Sequence, residues 1–119
     1  MIITGKYPEL RLRRSRNYNW SRRLIQENSL SSSDLILPIF LTDGDNKKVP
    51  VKLMPEIYRY SINKLGHVID RALNKKIPMV SLFPYTNQKK KDVNGKEALN
   101  ENNLVCKAIR YIKKKYKNE

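Results

Sequence analysis

Apolar residues form two short continuous runs that polar and turn-forming residues bound on both sides. Residues 35–41 (LILPIFL) and residues 78–83 (PMVSLF) have the length of strands and show no polar alternation. Such runs are typical of strands that are buried on both faces, as in a parallel sheet. Pro38 argues against a central place in a sheet, because it has no N–H to donate to a neighbour. We predict two buried strands at these positions.

Two longer segments carry apolar residues at the spacing of an amphipathic helix. The first covers residues 62–75 with Ser61 as its N-cap, and the second covers residues 104–117 with Asn100 or Asn103 as its N-cap. Polar and charged residues occupy the opposite sides, so each helix has one face for a core. The predicted core stripes are Ile62, Leu65, Ile69, Ala72 and Leu73 in the first helix, and Leu104, Val105, Ala108, Ile109, Ile112 and Tyr116 in the second.

The order of these elements predicts an α/β fold. Each apolar strand precedes a helix, which is the order of right-handed βαβ units on a parallel sheet. A turn-rich loop (42–48), a proline-extended segment (49–56) and a polar loop (84–103) connect them. Two parallel strands leave both sheet edges unpaired and bury little apolar surface. The chain therefore looks like part of a larger sheet.

Residues 1–33 form a basic N-terminal arm, and residues 34–119 carry the α/β pattern. The whole chain has 25 Lys+Arg against 11 Asp+Glu, a formal net charge of +14, and such a charge attracts polyanions. Within the arm, a short helix is predicted over residues 21–27, with Ser21, Asn17 or Asn19 as its cap. The arm's candidate interaction residues are Arg11, Arg13, Arg14, Arg16 and Trp20.

Two interpretations of the arm remain open. Arginines beside an exposed tryptophan suit nucleic acid, where the cations contact phosphates and the indole stacks on a base. The same mixture suits an arm that docks on another protein subunit. No sequence signature of a nucleic-acid-binding fold accompanies the charge. We therefore favour subunit docking over nucleic acid.

Cysteine usage and hydropathy predict a cytoplasmic protein with no membrane partner. The single cysteine, Cys106, excludes an internal disulfide framework and a cysteine-rich zinc site made by this chain alone. Residues 1–5 lack the apolar core of a signal peptide, and no window reaches about 18 apolar residues. We expect Cys106 to pack as a small hydrophobe. His67 has no partner at metal-ligand spacing.

Several motifs occur in an order that resembles one enzyme family. They are RLRRSR at residue 11, SRRLIQEN.L at 21, DLILPIFLTDG at 34, MPEIYRYS at 54, IPMVSLFP at 77 and K..NGKEALNENNL..KAIR.IK at 91. Together they resemble the N-terminal third of porphobilinogen synthase, also called delta-aminolevulinic acid dehydratase. The resemblance covers about residues 8 to 117.

This resemblance implies a (β/α)8 TIM barrel, of which residues 34–119 would form the first two βα units and residues 1–33 the arm. The family is a lyase that condenses two molecules of 5-aminolevulinate to porphobilinogen in haem biosynthesis. Its arm wraps around a neighbouring barrel, and its subunits form homo-octamers or hexamers. The resemblance assigns no cofactor to this chain and implies zinc or magnesium for the complete enzyme.

The resemblance also implies that this chain is truncated and inactive alone. The family's two active-site lysines lie in later strands, beyond Glu119, so no catalytic or metal residue is assigned here. A second chain carrying the rest of the barrel would restore activity.

Phe83 is the one substrate-pocket candidate; the alternative is an ordinary core phenylalanine. Glu56 and Lys76 stand where the family has glycine, and Asn102 and Asn103 also depart from its pattern. Lys89, Lys90 and Lys91 are expected to be solvated charges.

Overall fold

The computed structural model describes residues 4–11 and 13–117, so part of the N-terminal segment considered for targeting lies outside the described residues. Contacts divide the chain into two units, Met1–Leu30 and Ser31–Glu119. The α-helices are α1 (Asn19–Leu24), α2 (Leu65–Asn74), α3 (Lys96–Leu99) and α4 (Leu104–Lys115). The strands are β1 (Ile36–Leu41), β2 (Lys48–Pro50), β3 (Tyr58–Tyr60) and β4 (Met79–Pro84), and short 3-10 helices cover Arg14–Arg16, Ser32–Asp34, Ile62–Lys64 and Gln88–Lys90.

The second unit contains one mixed sheet with the strand order β2-β3-β1-β4. Strand β1 runs parallel to β4 along six paired positions, from Ile36 opposite Met79 to Leu41 opposite Pro84. It also runs parallel to β3, where Phe40 faces Arg59, and β2 pairs antiparallel with β3. The predicted α/β class and both predicted strands are confirmed.

The sheet nevertheless has four strands where the apolar runs predicted two. The extra pair, β2 and β3, lies between β1 and α2 in the chain. Each of these strands has three residues, which is too short for an alternating pattern to be recognised in the sequence. Their pairing covers part of one edge of β1, so the sheet is less exposed than two strands alone would be.

Pro38 lies inside β1 without breaking its ladder. The N–H of Thr42 donates to the carbonyl of Tyr60 in β3 at 2.9 Å, and the N–H of Tyr85 donates to the carbonyl of Leu41 at 2.9 Å. Backbone groups alternate along a strand, so the nitrogen of Pro38 points to the β3 side, like that of Thr42. Strand β3 pairs only with the last two residues of β1. The nitrogen of Pro38, which has no N–H to donate, therefore faces an edge of β1 that has no partner strand in the described chain.

The core lies between one face of the sheet and the helices α2 and α4. Ile39 and Leu41 of β1 are buried there against Leu65 of α2 and Ala108 of α4, and Leu41 has no exposed surface. The prediction that both faces of the strands are buried is wrong, because only the face that carries Ile39 and Leu41 is buried. Alternate side chains point to opposite faces, and the second face stays open.

The predicted helix stripes are largely confirmed. In α2 and the turn before it, Leu65, Ile69 and Ala72 are buried, as is Val68, and Ile62 and Leu73 pack against the core. In α4, Ile109 is exposed, and Tyr111 packs against the core in its place. The loop predicted over residues 84–103 contains one short α-helix, α3, and a 3-10 turn.

The helix starts differ in part from the expected caps. Asn103 caps α4, since its side-chain oxygen accepts from the N–H of Cys106 at 2.8 Å. The hydroxyl of Ser61 instead accepts from the N–H of Lys47 at 2.9 Å and donates to Asn63 Oδ1 at 2.6 Å. It therefore fastens the loop before β2 to the start of the helical segment. Helix α1 begins at Asn19, and Ser21 lies inside it.

The end of α4 is fastened to the start of α2 by one tyrosine. The hydroxyl of Tyr116 lies 2.5 Å from Asp70 Oδ1 and 3.1 Å from the carbonyl oxygen of Gly66. Partial burial and the hydrogen bond to Asp70 raise the pKa of Tyr116, and the hydrogen bond from Lys115 to Tyr116 raises the pKa of Lys115. Helices α2 and α4 are therefore joined by polar contacts of Tyr116 as well as by their packing in the core.

Two of the positions where the resemblance expects glycine have left-handed backbone. Glu56 has a φ of 64° and Lys76 a φ of 55°. Lys76 follows α2, and its N–H donates to Leu73 O at 2.8 Å while the N–H of Ile77 donates to Ala72 O at 3.0 Å. This is the Schellman arrangement, which favours glycine because a Cβ is strained there. Lys76 therefore occupies a position that costs about 1 kcal/mol for a residue with a side chain.

We expect Lys76→Gly to stabilise the chain. Relief of the left-handed strain exceeds the extra chain entropy of glycine in the unfolded state, so the free energy of unfolding should rise by about 0.5 kcal/mol. Urea unfolding followed by circular dichroism measures the change. Lys75→Gly is the matched control: its φ of −92° carries no such strain, so glycine there should destabilise. Equal effects of both variants would contradict the strain argument.

Candidate functional site

The open face of the sheet is the candidate functional site. It carries the alternate residues of the two long parallel strands, those that point away from α2 and α4. Several are exposed although they are apolar. Exposed contiguous apolar surface of this kind is typical of a face that another element covers. The face comprises Ile36, Pro38 and Phe40 of β1 and Met79, Ser81 and Phe83 of β4.

Phe83 stands near the carboxyl end of β4 on this open face. Its ring centroid lies 5.6 Å from that of Phe40, its partner in β1, and the two rings are tilted by 34°. Phe83 is 47% exposed and is not part of the core cluster. Of the two expectations for this residue, a place in the core does not hold for the described chain. The pair forms an apolar wall next to the strand ends.

Arg59 is the cationic residue on the same face. It pairs with Phe40 across β1 and β3, is half-buried, and its guanidinium carbon lies 4.6 Å from the ring centroid of Tyr85. Such a stack fixes a guanidinium while leaving its edge N–H groups available. Arg59 therefore presents a positioned positive charge beside the aromatic wall.

A bridging lysine holds the loops that follow β1 and β4. The ammonium of Lys90 lies 3.5 Å from Asp43 Oδ2 and 3.6 Å from Glu97 Oε1. Beside it is an open cavity of about 630 Å3 that Tyr85, Leu104 and other residues of the loop and of early α4 line. All three loop lysines are exposed, as the sequence predicted, and Lys90 in addition pairs with two carboxylates. Exposed pairs of this kind contribute about 1 kcal/mol or less.

No described lysine is placed for Schiff-base chemistry. A lysine that attacks a carbonyl must lose its proton near neutral pH, which requires desolvation or a neighbouring cation. Every lysine among residues 4–11 and 13–117 is solvent-exposed. The pKa of Lys115 is raised by its hydrogen bond to Tyr116, which is the wrong direction for a nucleophile.

Among the same described residues, no three His, Cys, Asp or Glu side chains come together as a metal site would require. Cys106 is a half-buried free thiol, and His67 is exposed. The side chains present do not fit a zinc or magnesium centre, which needs about three or more such ligands. No described helix is long and apolar enough to cross a membrane.

The N-terminal unit has a groove of its own around Trp20. Arg13, Arg14, Leu24 and Ile25 contribute to its walls, and Trp20 is 63% exposed. The indole stacks on Tyr18, with ring centroids 6.3 Å apart and planes 7° apart. Arg11 lies over the ring of Tyr7 at 5.6 Å. Arg16 belongs to the adjacent 3-10 turn. The predicted arm residues are all exposed, and aromatic side chains lie among them: Arg11, Arg13, Arg14, Arg16 and Trp20.

Sequence reasoning missed Arg59, Phe40 and Tyr85 as members of the site. The available signal was the alternation Tyr58-Arg59-Tyr60, which has the period of a strand. Three residues are too few to establish that period without knowing that β1 lies alongside. Tyr85 follows the predicted strand and enters the site only through its contact with Arg59.

A parallel pair of strands, helices on one sheet face and an apolar opposite face near the strand ends define a mixed α/β protein with an open sheet. The family model for delta-aminolevulinic acid dehydratase matches residues 9–119. The chain therefore belongs to the delta-aminolevulinic acid dehydratase, or porphobilinogen synthase, family, as its motifs indicated.

Relatives and a solved structure agree with this assignment. The delta-aminolevulinic acid dehydratase of Bradyrhizobium diazoefficiens is 45% identical over 107 residues, which cover 90% of this chain and 30% of that protein. The protein of the same name from Ruminiclostridium josui is 37% identical over 106 residues, which cover 89% of this chain and 51% of that protein. The chain therefore spans 30% of the length of the first relative and about half of the second.

Among solved structures, the chain is similar to delta-aminolevulinic acid dehydratase (porphobilinogen synthase) from Toxoplasma gondii ME49 in complex with the reaction product porphobilinogen. The TM-score is 0.78 with 32% sequence identity, and the match covers 92% of this chain and 31% of that chain. The fold of the described residues is thus similar to that of about a third of this solved enzyme.

We expect Phe83→Ala to have little effect on the stability of this chain. The side chain is half exposed and outside the core, so its loss should lower the free energy of unfolding by about 1 kcal/mol or less. Leu82→Ala is the matched control in the same strand, because Leu82 packs against the core and should cost about 2 kcal/mol. Urea unfolding measures both. A loss of about 3 kcal/mol or more at Phe83 would show that it is a core residue.

Proposed function

We propose that this chain supplies the N-terminal arm (residues 1–33) and the first two βα units (residues 34–119) of a (β/α)8 porphobilinogen synthase. In this proposal the open sheet face becomes the barrel interior, and Phe83 with Phe40 lines the pocket for 5-aminolevulinate. The complete enzyme condenses two molecules of this substrate to porphobilinogen in haem biosynthesis. The exposed apolar face of β1 and β4 is the observation that carries the proposal.

The unpaired edge of the sheet supports this proposal. In the strand order β2-β3-β1-β4, β4 is an edge strand although all six of its residues pair with β1 on the other side. A parallel strand is normally covered on both faces and paired on both edges. Barrel closure would supply a further strand beside β4 and side chains above Phe83.

The chemistry in this proposal belongs to residues beyond those described. Since every described lysine is exposed, a Schiff-base lysine must come from elsewhere in the barrel, where it can be desolvated. The same holds for zinc or magnesium, because the described residues do not assemble metal ligands. In this proposal the described residues would shape and close the pocket, and they would take no part in proton or electron transfer.

The arm's groove supports a docking role in oligomer assembly. Exposed Trp20 and Leu24 beside Arg13 and Arg14 combine an aromatic anchor with cations, the composition that is enriched in protein interfaces. In the proposal, this arm binds a neighbouring barrel of the same protein.

The polypeptide of residues 1–119, purified alone, should form no porphobilinogen from 5-aminolevulinate. A chimera that joins it to the part of the Bradyrhizobium diazoefficiens relative following the matched segment should form the product. In that chimera Phe83→Ala should lower kcat/KM by about 10-fold or more, since about 1.4 kcal/mol of binding corresponds to a factor of ten. Met79→Ala is the control, on the same face but at the amino end of β4, away from the reacting end.

Product formation by residues 1–119 alone would contradict the proposal, as would a properly assembled chimera that is inactive. The assay is absorbance of porphobilinogen after reaction with an aldehyde reagent. Zinc and magnesium are each supplied in separate reactions, so that the metal requirement does not obscure the result.

Trp20→Ala should weaken assembly of the active chimera. Loss of a central aromatic anchor typically costs about 2 kcal/mol or more in an interface, so sedimentation should show smaller species at equal concentration. Asn28→Ala, an exposed change in the same unit, is the control. If the arm served nucleic acid instead, Trp20→Ala would leave assembly unchanged, and an arm peptide would bind DNA or RNA with strong salt dependence.

A further inference from the structure

Arg59 is a permanent charge on a sheet face whose other residues are uncharged. It lies between Phe40 of β1 and Val49 of β2, its partners in the two neighbouring strands. Within the part of the chain that the structure describes, the ion pairs are those of Lys90, and no Asp or Glu lies within ion-pair distance of Arg59. Its guanidinium rests on the ring of Tyr85 alone.

The groups that face Arg59 are neutral. Strand β1 contributes Phe40 and β2 contributes Val49, whereas Lys48, whose ammonium lies 4.1 Å from the ring centroid of Tyr58, is on the opposite face of the sheet. The segment after β4 contributes Tyr85. None of these side chains supplies a negative charge near neutral pH.

Covering this face would remove water from a group that cannot become neutral. Arginine stays protonated at any pH at which proteins fold. A charge taken out of water must be paired and hydrogen-bonded, because the uncompensated charge is strongly destabilising. The ring of Tyr85 contacts one side of the guanidinium plane, while the N–H groups at its edge require acceptors. A carboxylate matches that edge with two parallel hydrogen bonds.

The position of β3 indicates where this carboxylate comes from. Strand β3 pairs only with Phe40 and Leu41, so the edge of β1 from Ile36 to Ile39 on that side has no partner in the described chain. A strand that closes a barrel must approach β1 along this edge and would end next to Arg59. Closure along this edge therefore brings the side chains of a protein strand close to Arg59, whose guanidinium also reaches the ring of Tyr85 after β4.

We propose that the part of the barrel that closes on β1 presents an Asp or Glu carboxylate to Arg59, and that this ion pair fixes how the closing strand docks beside β3. The inference rests on the proposed function, since it requires the rest of the barrel. Arg59 is a positioning residue in this account and does not touch the reacting atoms. The pair favours one docking register, because a shifted strand would leave both charges buried without partners.

The test uses the active chimera with Arg59→Met, which keeps the side-chain length and removes the charge. At pH 7 its Tm should fall by about 5–10 °C, the size expected for an unpaired buried carboxylate. The gap in Tm to the parent should narrow from pH 7 to pH 5. In the variant the unpaired carboxylate has a raised pKa and takes up a proton on folding, whereas in the parent it stays ionised beside Arg59.

Lys48→Met is the matched control, because Lys48 also lies over a tyrosine ring but is exposed. It should change Tm little, at either pH. If Arg59→Met does not fold, Arg59→Lys keeps the proposal testable, since the retained charge should restore a folded, active chimera whose gap in Tm to the parent is small and similar at pH 5 and pH 7.

Three results would overturn the inference. A raised KM for 5-aminolevulinate with unchanged Tm would assign Arg59 to the substrate's carboxylate. A gap in Tm between Arg59→Met and the parent that is the same at pH 5 and pH 7 would assign the role of Arg59 to packing. An Arg59→Met chimera indistinguishable from its parent would leave Arg59 without a partner. An inactive parent chimera, by contrast, would count against the proposed function itself.

Discussion

The packing of one sheet face on two helices is the constraint on which the rest of the structure depends. Ile39 and Leu41 sit at the centre of that contact, against Leu65 and Ala108. Because side chains alternate along a strand, burying these two residues forces Phe40 to the opposite face. The open apolar face, with Phe83 beside Phe40 and Arg59 next to them, is thus a direct geometric result of how the core is formed.

The short strands β2 and β3 modify this constraint at one end of β1 only. They occupy the edge next to Phe40 and Leu41 and bring Arg59 onto the open face, while the edge beside Pro38 remains without a partner in the described chain. A proline is tolerated where no ladder donor is needed. In the proposed barrel, the strand that pairs with this edge would meet one position without an N–H donor, which would further restrict its register.

Lys76 shows that the fold can hold a residue with a side chain in a left-handed backbone conformation that favours glycine. Lys76 adopts the conformation that ends α2 and turns the chain toward β4, although a side chain is unfavourable there. The tertiary fold holds this residue in place because α2 and β4 are both packed against the core. A local preference that disagrees with the fold is overruled by packing, at a modest cost in stability.

The sequence by itself determined the α/β class, the two long strands, the amphipathic helices α2 and α4 and the enzyme family, because these depend on periodic burial and on motifs in a fixed order. It indicated Phe83 but could not choose between core and pocket. Only the tertiary structure decided that β3 pairs with β1, that Ser61 fastens a loop rather than capping a helix through its side chain, and that Arg59 meets Phe40 and Tyr85. These contacts join residues far apart in the chain, and three-residue strands and single polar side chains carry no local signal of their distant partners.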